Sequence, residues 1–341
     1  MKKLFDENAN DDNIKIINGE TTNLLNLENI KYQWAHDIFD VIYSNNWLPH
    51  KVSMGNDKRQ YKELTPDEKD AFNKIISFLV FLDSIQTNNL PNISDYITAP
   101  DITYVLARQT YDEAIHSKSY GWIGSSIFTH QEFTDIVYEW RKGGVLLDRI
   151  NNITQGYEEF LANKNDPEFI KVLIKNYLLE GLYFYNGFQF FHNLQSRGLM
   201  VGTQTQIKYI QRDEIQHCNI FKNIILDVQK EEPELWKQML PDVYTLFEEA
   251  VKWEMDFSGE VIGDKILGMT KQSIEDYSYY LGNLRLKAIG CDQIFPKTKN
   301  PYKHLELMAG IEDDTTTRAN NFEVTSIQYK NASILSGWDD I

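Results

Sequence analysis

Asp112-Glu113-Ala114-Ile115-His116 and Asp213-Glu214-Ile215-Gln216-His217 are two copies of one short pattern in a chain of 341 residues. In each copy the glutamate and histidine stand at i and i+3. On an α-helix those positions are about 60° apart, so both side chains share a face. One such pair describes any solvated helix surface. Two pairs on separate helices, joined by one carboxylate from each of two further helices, make up the ligand set of a di-metal carboxylate bundle.

That pattern requires two lone carboxylates on apolar helices. Asp83 follows Phe78-Leu79-Val80-Phe81-Leu82, and Glu180 lies between Tyr177-Leu178-Leu179 and Leu182-Tyr183-Phe184. An unpaired carboxylate in such surroundings costs roughly several kcal/mol, which a coordinated cation removes. An arginine or backbone amides would serve a single buried acid equally well. The combination of all four features points to metal. Four carboxylates and two imidazoles suit iron or manganese better than copper or structural zinc. Tyr120 stands seven residues after Glu113 and returns to within about 20° of its direction. Among 19 tyrosines, spacing alone makes it a core residue first.

These motifs fall on helical patterns. Apolar periodicity runs over residues 30–43. Thr65-Pro66-Asp67-Glu68 offers an N-cap, a proline at the first helical position and a capping-box glutamate, predicting a helix to about Gln86. Pro100-Asp101 starts another, reaching past Tyr120. Asp166-Pro167-Glu168 starts one that carries Glu180 and continues to about Leu194. Gly181 and Gly187 lie within that span, and a local distortion beside Glu180 is compatible with them. Further helices are predicted over residues 203–228, 233–255 and 273–286. No sustained alternation closed by hairpin turns appears, so the chain reads as all-α: a helical bundle core with additional surrounding helices. Residues 1–27 read as a loose polar arm, 28–314 as the helical domain and 315–341 as a flexible tail.

Composition narrows the function. The 42% hydrophobic content is ample for a core, while the net charge of −16 disfavours nucleic acid and anionic membranes as direct partners. Only two cysteines occur, Cys218 and Cys291, with no CxxC pair, which fits a reducing compartment. No signal-peptide pattern opens the chain, and its longest apolar run, residues 75–82, is too short to span a bilayer. The expected location is cytoplasmic.

The run Asp112-Glu113-Ala114-Ile115-His116-Ser117-Lys118-Ser119-Tyr120 resembles the ligand-and-radical motif of the class I ribonucleotide reductase small subunit. Leu82-Asp83-Ser84-Ile85-Gln86 resembles its first-ligand motif, and Arg212-Asp213-Glu214-Ile215-Gln216-His217 its last. Glu180, followed by Phe184-Tyr185 and Phe188, is similar to the third ligand segment. Order and rough spacing agree from Trp47 to His217, and the tail also fits.

The resemblance implies a ferritin-like di-metal bundle in which Asp83, Glu113, His116, Glu180, Glu214 and His217 bind two metal ions. Iron is implied first, with manganese or a mixed pair as variants. It implies that Tyr120 stores a radical in an apolar pocket of Phe184, Phe188 and Ile210. Trp47 and Asp213 match residues that conduct the oxidising equivalent toward a large subunit, and Tyr329 matches a relay in the tail. Ile334, Leu335, Trp338 and Ile341 are apolar anchors for docking that tail on the large subunit. A homodimer is implied, working in reduction of ribonucleotides to deoxyribonucleotides. The alternative is a ferritin-like di-iron ferroxidase or an oxygenase component, which would need neither Trp47, Asp213 nor Tyr329.

Overall fold

The computed structural model describes residues 4–311. Among them the regular structure is helical: α1 (Gln33–Ser44), α2 (Asp57–Glu63), α3 (Pro66–Tyr96), α4 (Pro100–Ile127), α5 (His130–Val137), α6 (Val145–Ala162), α7 (Asp166–Leu178), α8 (Tyr185–Ser196), α9 (Val201–Glu231), α10 (Pro233–Val261), α11 (Lys271–Ala288) and α12 (Lys303–Ala309). A π-helical turn, Leu179–Tyr183, joins α7 to α8. The central helices α3, α4, α7–α8 and α9 surround a ferritin-like core, and the others pack around it.

Helices α3 and α4 begin as their sequences dictate. Thr65 Oγ1 accepts from the amide of Glu68, and the Glu68 carboxylate accepts from the amide of Thr65, with Pro66 at the first helical position. This helix continues ten residues beyond the expected end at Gln86, through Pro91 to Tyr96. The polar run Thr87-Asn88-Asn89 resembles a stop, but Asn89, Leu90 and Ile93 are buried. Their packing outweighs the hydrogen bond that proline removes. Pro100 then starts α4, which lies against α3 along most of its length.

The span expected as one helix from Asp166 to Leu194 is broken at the π-turn. Such a turn closes i→i+5 bonds and leaves carbonyls to be satisfied from outside. Arg285 of α11 does this, its Nε donating to the Gly181 carbonyl at 2.9 Å. A Cβ on Gly181 would stand 2.7 Å from that Nε and 3.0 Å from Cys218 Sγ. Glycine is therefore required for the close approach.

The stretch read as a loose arm is packed over part of its length. Ile14, Ile16 and Ile17 are buried. The Ile16 amide donates to Glu231 at 2.8 Å, and its carbonyl accepts from the Thr98 amide at 2.8 Å. Residues 312–341, with Tyr329 and the apolar anchors of the tail, lie outside the described residues. Among the described residues no helix is long and apolar enough to cross a membrane.

Candidate metal centre

Four segments bring six side chains to one place. Asp83 comes from the middle of α3, Glu113 and His116 from α4, Glu180 from the π-turn, and Glu214 and His217 from α9. All six have 0% exposure. One ligand atom each of Asp83, Glu113, His116 and Glu214 lies within 4.8 Å of the others, and the same holds for Glu113, Glu180, Glu214 and His217. Glu113 and Glu214 belong to both groups. Two half-sites sharing two carboxylates are the geometry of a bridged pair of ions.

The donor atoms have the chemistry of a cation site. Both oxygens of Asp83 and of Glu113, Oε2 of Glu180, Oε1 of Glu214 and Nδ1 of His116 are buried without a hydrogen-bond partner. Each such acceptor costs about 1–3 kcal/mol, more when charged. Their convergence is untenable as a packed core and sensible around metal ions. Both imidazoles present Nδ1 inward: His116 Nδ1 is 3.1 Å from Glu214 Oε1, and His217 Nδ1 is 3.2 Å from Glu113 Oε1.

Electrostatics say the same. Burial, reinforced by the charge of Glu113, holds Asp83 well above the usual carboxylate range. Burial and the charges of Glu214 and Glu113 do so for Glu180. Glu214 goes the other way. Burial opposes its ionisation, but His217 and His116 together hold it below the usual range. For both histidines burial opposes the charge, yet the carboxylates, Glu214 foremost, raise them well above the ordinary value. The metal-free cluster thus shares protons among groups that divalent cations would replace.

Supporting residues fix the candidate ligands. Oε1 of Glu180 accepts from three amides, those of Gln86, Gln109 (2.8 Å) and Asn176 (3.4 Å), leaving Oε2 to face His217 Nδ1 at 3.9 Å. Gln109 and Asn176 are absent from the sequence reading, since they converge from different helices and share no motif. Asp213 accepts the indole N–H of Trp47 at 2.7 Å on Oδ2, which also stands 3.4 Å from His116 Nε2. Arg212 donates to its other oxygen at 3.1 Å. Asp112, likewise missed, lies 3.5 Å from His217 Nε2. The signal for it was present, because Asp112 stands in the repeat where Asp213 stands.

Tyr120 is buried on α4, and burial together with the Asp83 charge pushes its phenol well above the ordinary value. Phe184 and Phe188, stacked with ring centroids 5.6 Å apart, and Ile210 are fully buried. Trp47 is also buried, its ring 6.5 Å from that of His116 and 5.2 Å from that of Tyr209. It forms part of the wall of a surface cleft of about 710 Å³. Of the sequence-derived site residues, Tyr329 alone lies outside the described residues.

A ferritin-like bundle with paired Glu-x-x-His helices and two shared carboxylates defines a di-metal carboxylate protein. The family described as "Ribonucleotide reductase, small chain" matches residues 24–301. The beta subunit of ribonucleoside-diphosphate reductase from Treponema pallidum is 37% identical over 94% of this chain and 92% of its own length. The ribonucleotide reductase R2 subunit from Clostridium botulinum superposes with a TM-score of 0.88 at 38% identity, covering 90% of this chain and 98% of that one. The dimanganese(II) NrdF of Streptococcus sanguinis shares the fold, with a TM-score of 0.68 at 22% identity over 85% of this chain and 99% of its own. The chain belongs to the ribonucleotide reductase small-subunit family, whose role is to generate, at a di-metal site, the radical that the large subunit uses. That membership sets aside the ferroxidase and oxygenase alternatives.

Proposed function

We propose that Asp83, Glu113, His116, Glu180, Glu214 and His217 hold two metal ions, and that Tyr120 stores the oxidising equivalent generated there. The carrying observation is the pair of half-sites sharing Glu113 and Glu214. Two redox-active ions at this place supply the one-electron oxidant when dioxygen is available. The protein's part is to keep Tyr120 protonated and dry until it is oxidised. Its burial and the Asp83 charge favour the neutral phenol, and the apolar surroundings of Phe184, Phe188 and Ile210 exclude water and reductants.

Iron is the first assignment, with manganese or a mixed pair retained, because the all-oxygen and imidazole donor set suits either metal. The Streptococcus relative is itself described as dimanganese. Asp213 and Trp47 carry the oxidising equivalent outward from His116, and their contacts with it and with each other support that route. The tail then docks on the large subunit, with Tyr329 as relay, and the chain works as a homodimer in the cytoplasm. Neither Cys218 nor Cys291 is in a disulfide, which agrees with that compartment.

The test pairs two variants. Tyr120→Phe removes only the phenol oxygen and is expected to keep both ions while losing the organic-radical signal and turnover. His217→Ala is expected to lose metal as well. A Tyr120→Phe protein with normal turnover would move the stored oxidant onto the metals, and two-ion loading with normal radical yield in His217→Ala would refute the ligand set.

A further inference from the structure

The two Asp-Glu-x-x-His repeats do more than supply two ligands each: they brace one another across the site. Asp213 sits on α9 beside Glu214, yet its Oδ2 faces Nε2 of His116 on α4 at 3.4 Å. Asp112 sits on α4 beside Glu113, yet its Oδ2 faces Nε2 of His217 on α9 at 3.5 Å. Each aspartate is buried, and each is held on its other oxygen by an arginine. Arg108 reaches Asp112 Oδ1 at 2.7 Å, and Arg212 reaches Asp213 Oδ1 at 3.1 Å. Each arginine also lies over a tyrosine of its own helix, Arg108 over Tyr111 and Arg212 over Tyr209.

The two braces differ in one respect. Asp213 Oδ2 also takes the indole N–H of Trp47. Among the described residues no indole reaches Asp112, whose side chain meets Arg108 and His217. The sequence resemblance assigns a role to Asp213 and none to Asp112.

Resting on the ligand set proposed above, we infer that Asp112 is a positioning residue for the half-site of Glu180 and His217. It orients the His217 ring so that Nδ1 is the metal-facing nitrogen, and Arg108 fixes Asp112 in turn. A partner on the outward nitrogen selects the tautomer and raises the donor strength of the inward one. Losing such a partner typically costs about 10–100-fold in metal affinity. The cross-bracing therefore gives each half-site its own control: Asp112 for the ion beside Glu180 and His217, and Asp213 for the ion beside Asp83 and His116. Only Asp213 has the added duty of contacting Trp47.

The experiment is an anaerobic manganese(II) titration of the full-length protein, followed by calorimetry and by electron paramagnetic resonance. The wild-type chain is expected to bind two ions that give a spin-coupled signal. Asp112→Asn should weaken one of the two ions by about 10–100-fold. At limiting manganese it should show the six-line signal of an isolated ion, and Asp112→Glu should recover part of the coupling. Arg108→Gln, which leaves the carboxylate in place but unclamped, should shift the same ion in the same direction. The decisive arm is a double-mutant cycle. Asp112→Asn should have no further effect in a His217→Ala background and keep its effect in His116→Ala. An undiminished effect in His217→Ala, or wild-type affinities in Asp112→Asn, would overturn the positioning role. A wild-type chain that binds no manganese pair would instead overturn the ligand set itself.

Discussion

The indole N–H of Trp47 and the imidazole Nε2 of His116 meet on a single oxygen, Oδ2 of Asp213, at 2.7 and 3.4 Å. The buried carboxylate therefore joins a candidate metal ligand to a side chain that walls a surface cleft. Burial raises the Asp213 pKa, but His116, Arg212 and Trp47 hold it below the usual range, so the link is an ionised one. Trp47→Phe removes the indole N–H and leaves a ring in its place. Metal content and the Tyr120 radical are expected to persist while deoxynucleotide formation falls to background. Full turnover in Trp47→Phe would remove this residue from the route.

Gly181→Ala tests the π-turn. Alanine is the better helix former by about 1 kcal/mol. Its Cβ would nevertheless press on Arg285 and Cys218 at 2.7–3.0 Å in a closed interior. Such overpacking costs typically about 1–3 kcal/mol, so it outweighs the propensity gain. The expected result is a lower melting temperature for the metal-free protein together with weaker metal binding. A melting temperature above wild type would show that the turn does not depend on the Arg285 contact.

Stability of the metal-free protein should depend on pH in an unusual direction. Asp83, Glu180, His116 and His217 all bind protons more tightly when folded, because burial and neighbouring carboxylates raise them. Their contribution is complete below the unfolded values of 3.8, 4.5 and 6.5 and is lost as pH rises toward the folded ones. Glu214 and Asp213 are depressed and act oppositely, but they lose stability only as pH falls below their unfolded values of 4.5 and 3.8. Between roughly pH 5 and pH 8 the metal-free melting temperature should therefore fall as pH rises. Metal binding needs the deprotonated forms, so the stabilisation by added manganese should grow over the same interval. Thermal melts with and without metal at several pH values check both slopes, and a metal-free slope of the opposite sign would contradict the proton-sharing cluster.

Two tail defects should separate. Deleting residues 333–341 removes the apolar anchors Ile334, Leu335, Trp338 and Ile341. Metals and radical are expected to survive, with binding to the large subunit weakened. Tyr329→Phe should bind normally and fail to turn over, because phenylalanine is far harder to oxidise. Affinity and product formation measured side by side distinguish the two. Unweakened binding after the deletion removes the docking role, and an active Tyr329→Phe removes the relay.

The helices that carry the site were legible because their signals are local. A capping box, a proline at the first position or a Glu-x-x-His repeat can each be read within a few residues. Helix α6 has a regular stripe of Leu146, Ile150, Ile153, Tyr157 and Phe160, all buried. Asn151, Asn152, Thr154 and Gln155 flank Ile153, dilute that stripe and obscure it in the sequence. Ile14, Ile16 and Ile17 are three apolar residues in a polar arm, buried where the arm is tied to Glu231 at the end of α9 and to Thr98 between α3 and α4. The clamp on Glu180 is illegible for a different reason, since Gln86, Gln109 and Asn176 come from three helices and meet only after folding.

The π-turn also changes how the helices around it relate. One extra residue in a turn advances the phase of everything downstream by about 100°. Helices α7 and α8 are thus rotationally independent although continuous in the chain. α7 packs on α6, α9 and α10, while α8 packs on α9 and α12. Glu180 sits in the joint, and its direction is set by neither packing surface but by the amides on its Oε1 and by the guanidinium of Arg285 on the adjacent carbonyl. Substitutions that repack either flanking helix can then accumulate without turning the carboxylate. A one-residue deletion between 179 and 183 would restore an unbroken α-helix, lock the two phases together and aim Glu180 according to the core rather than the metals.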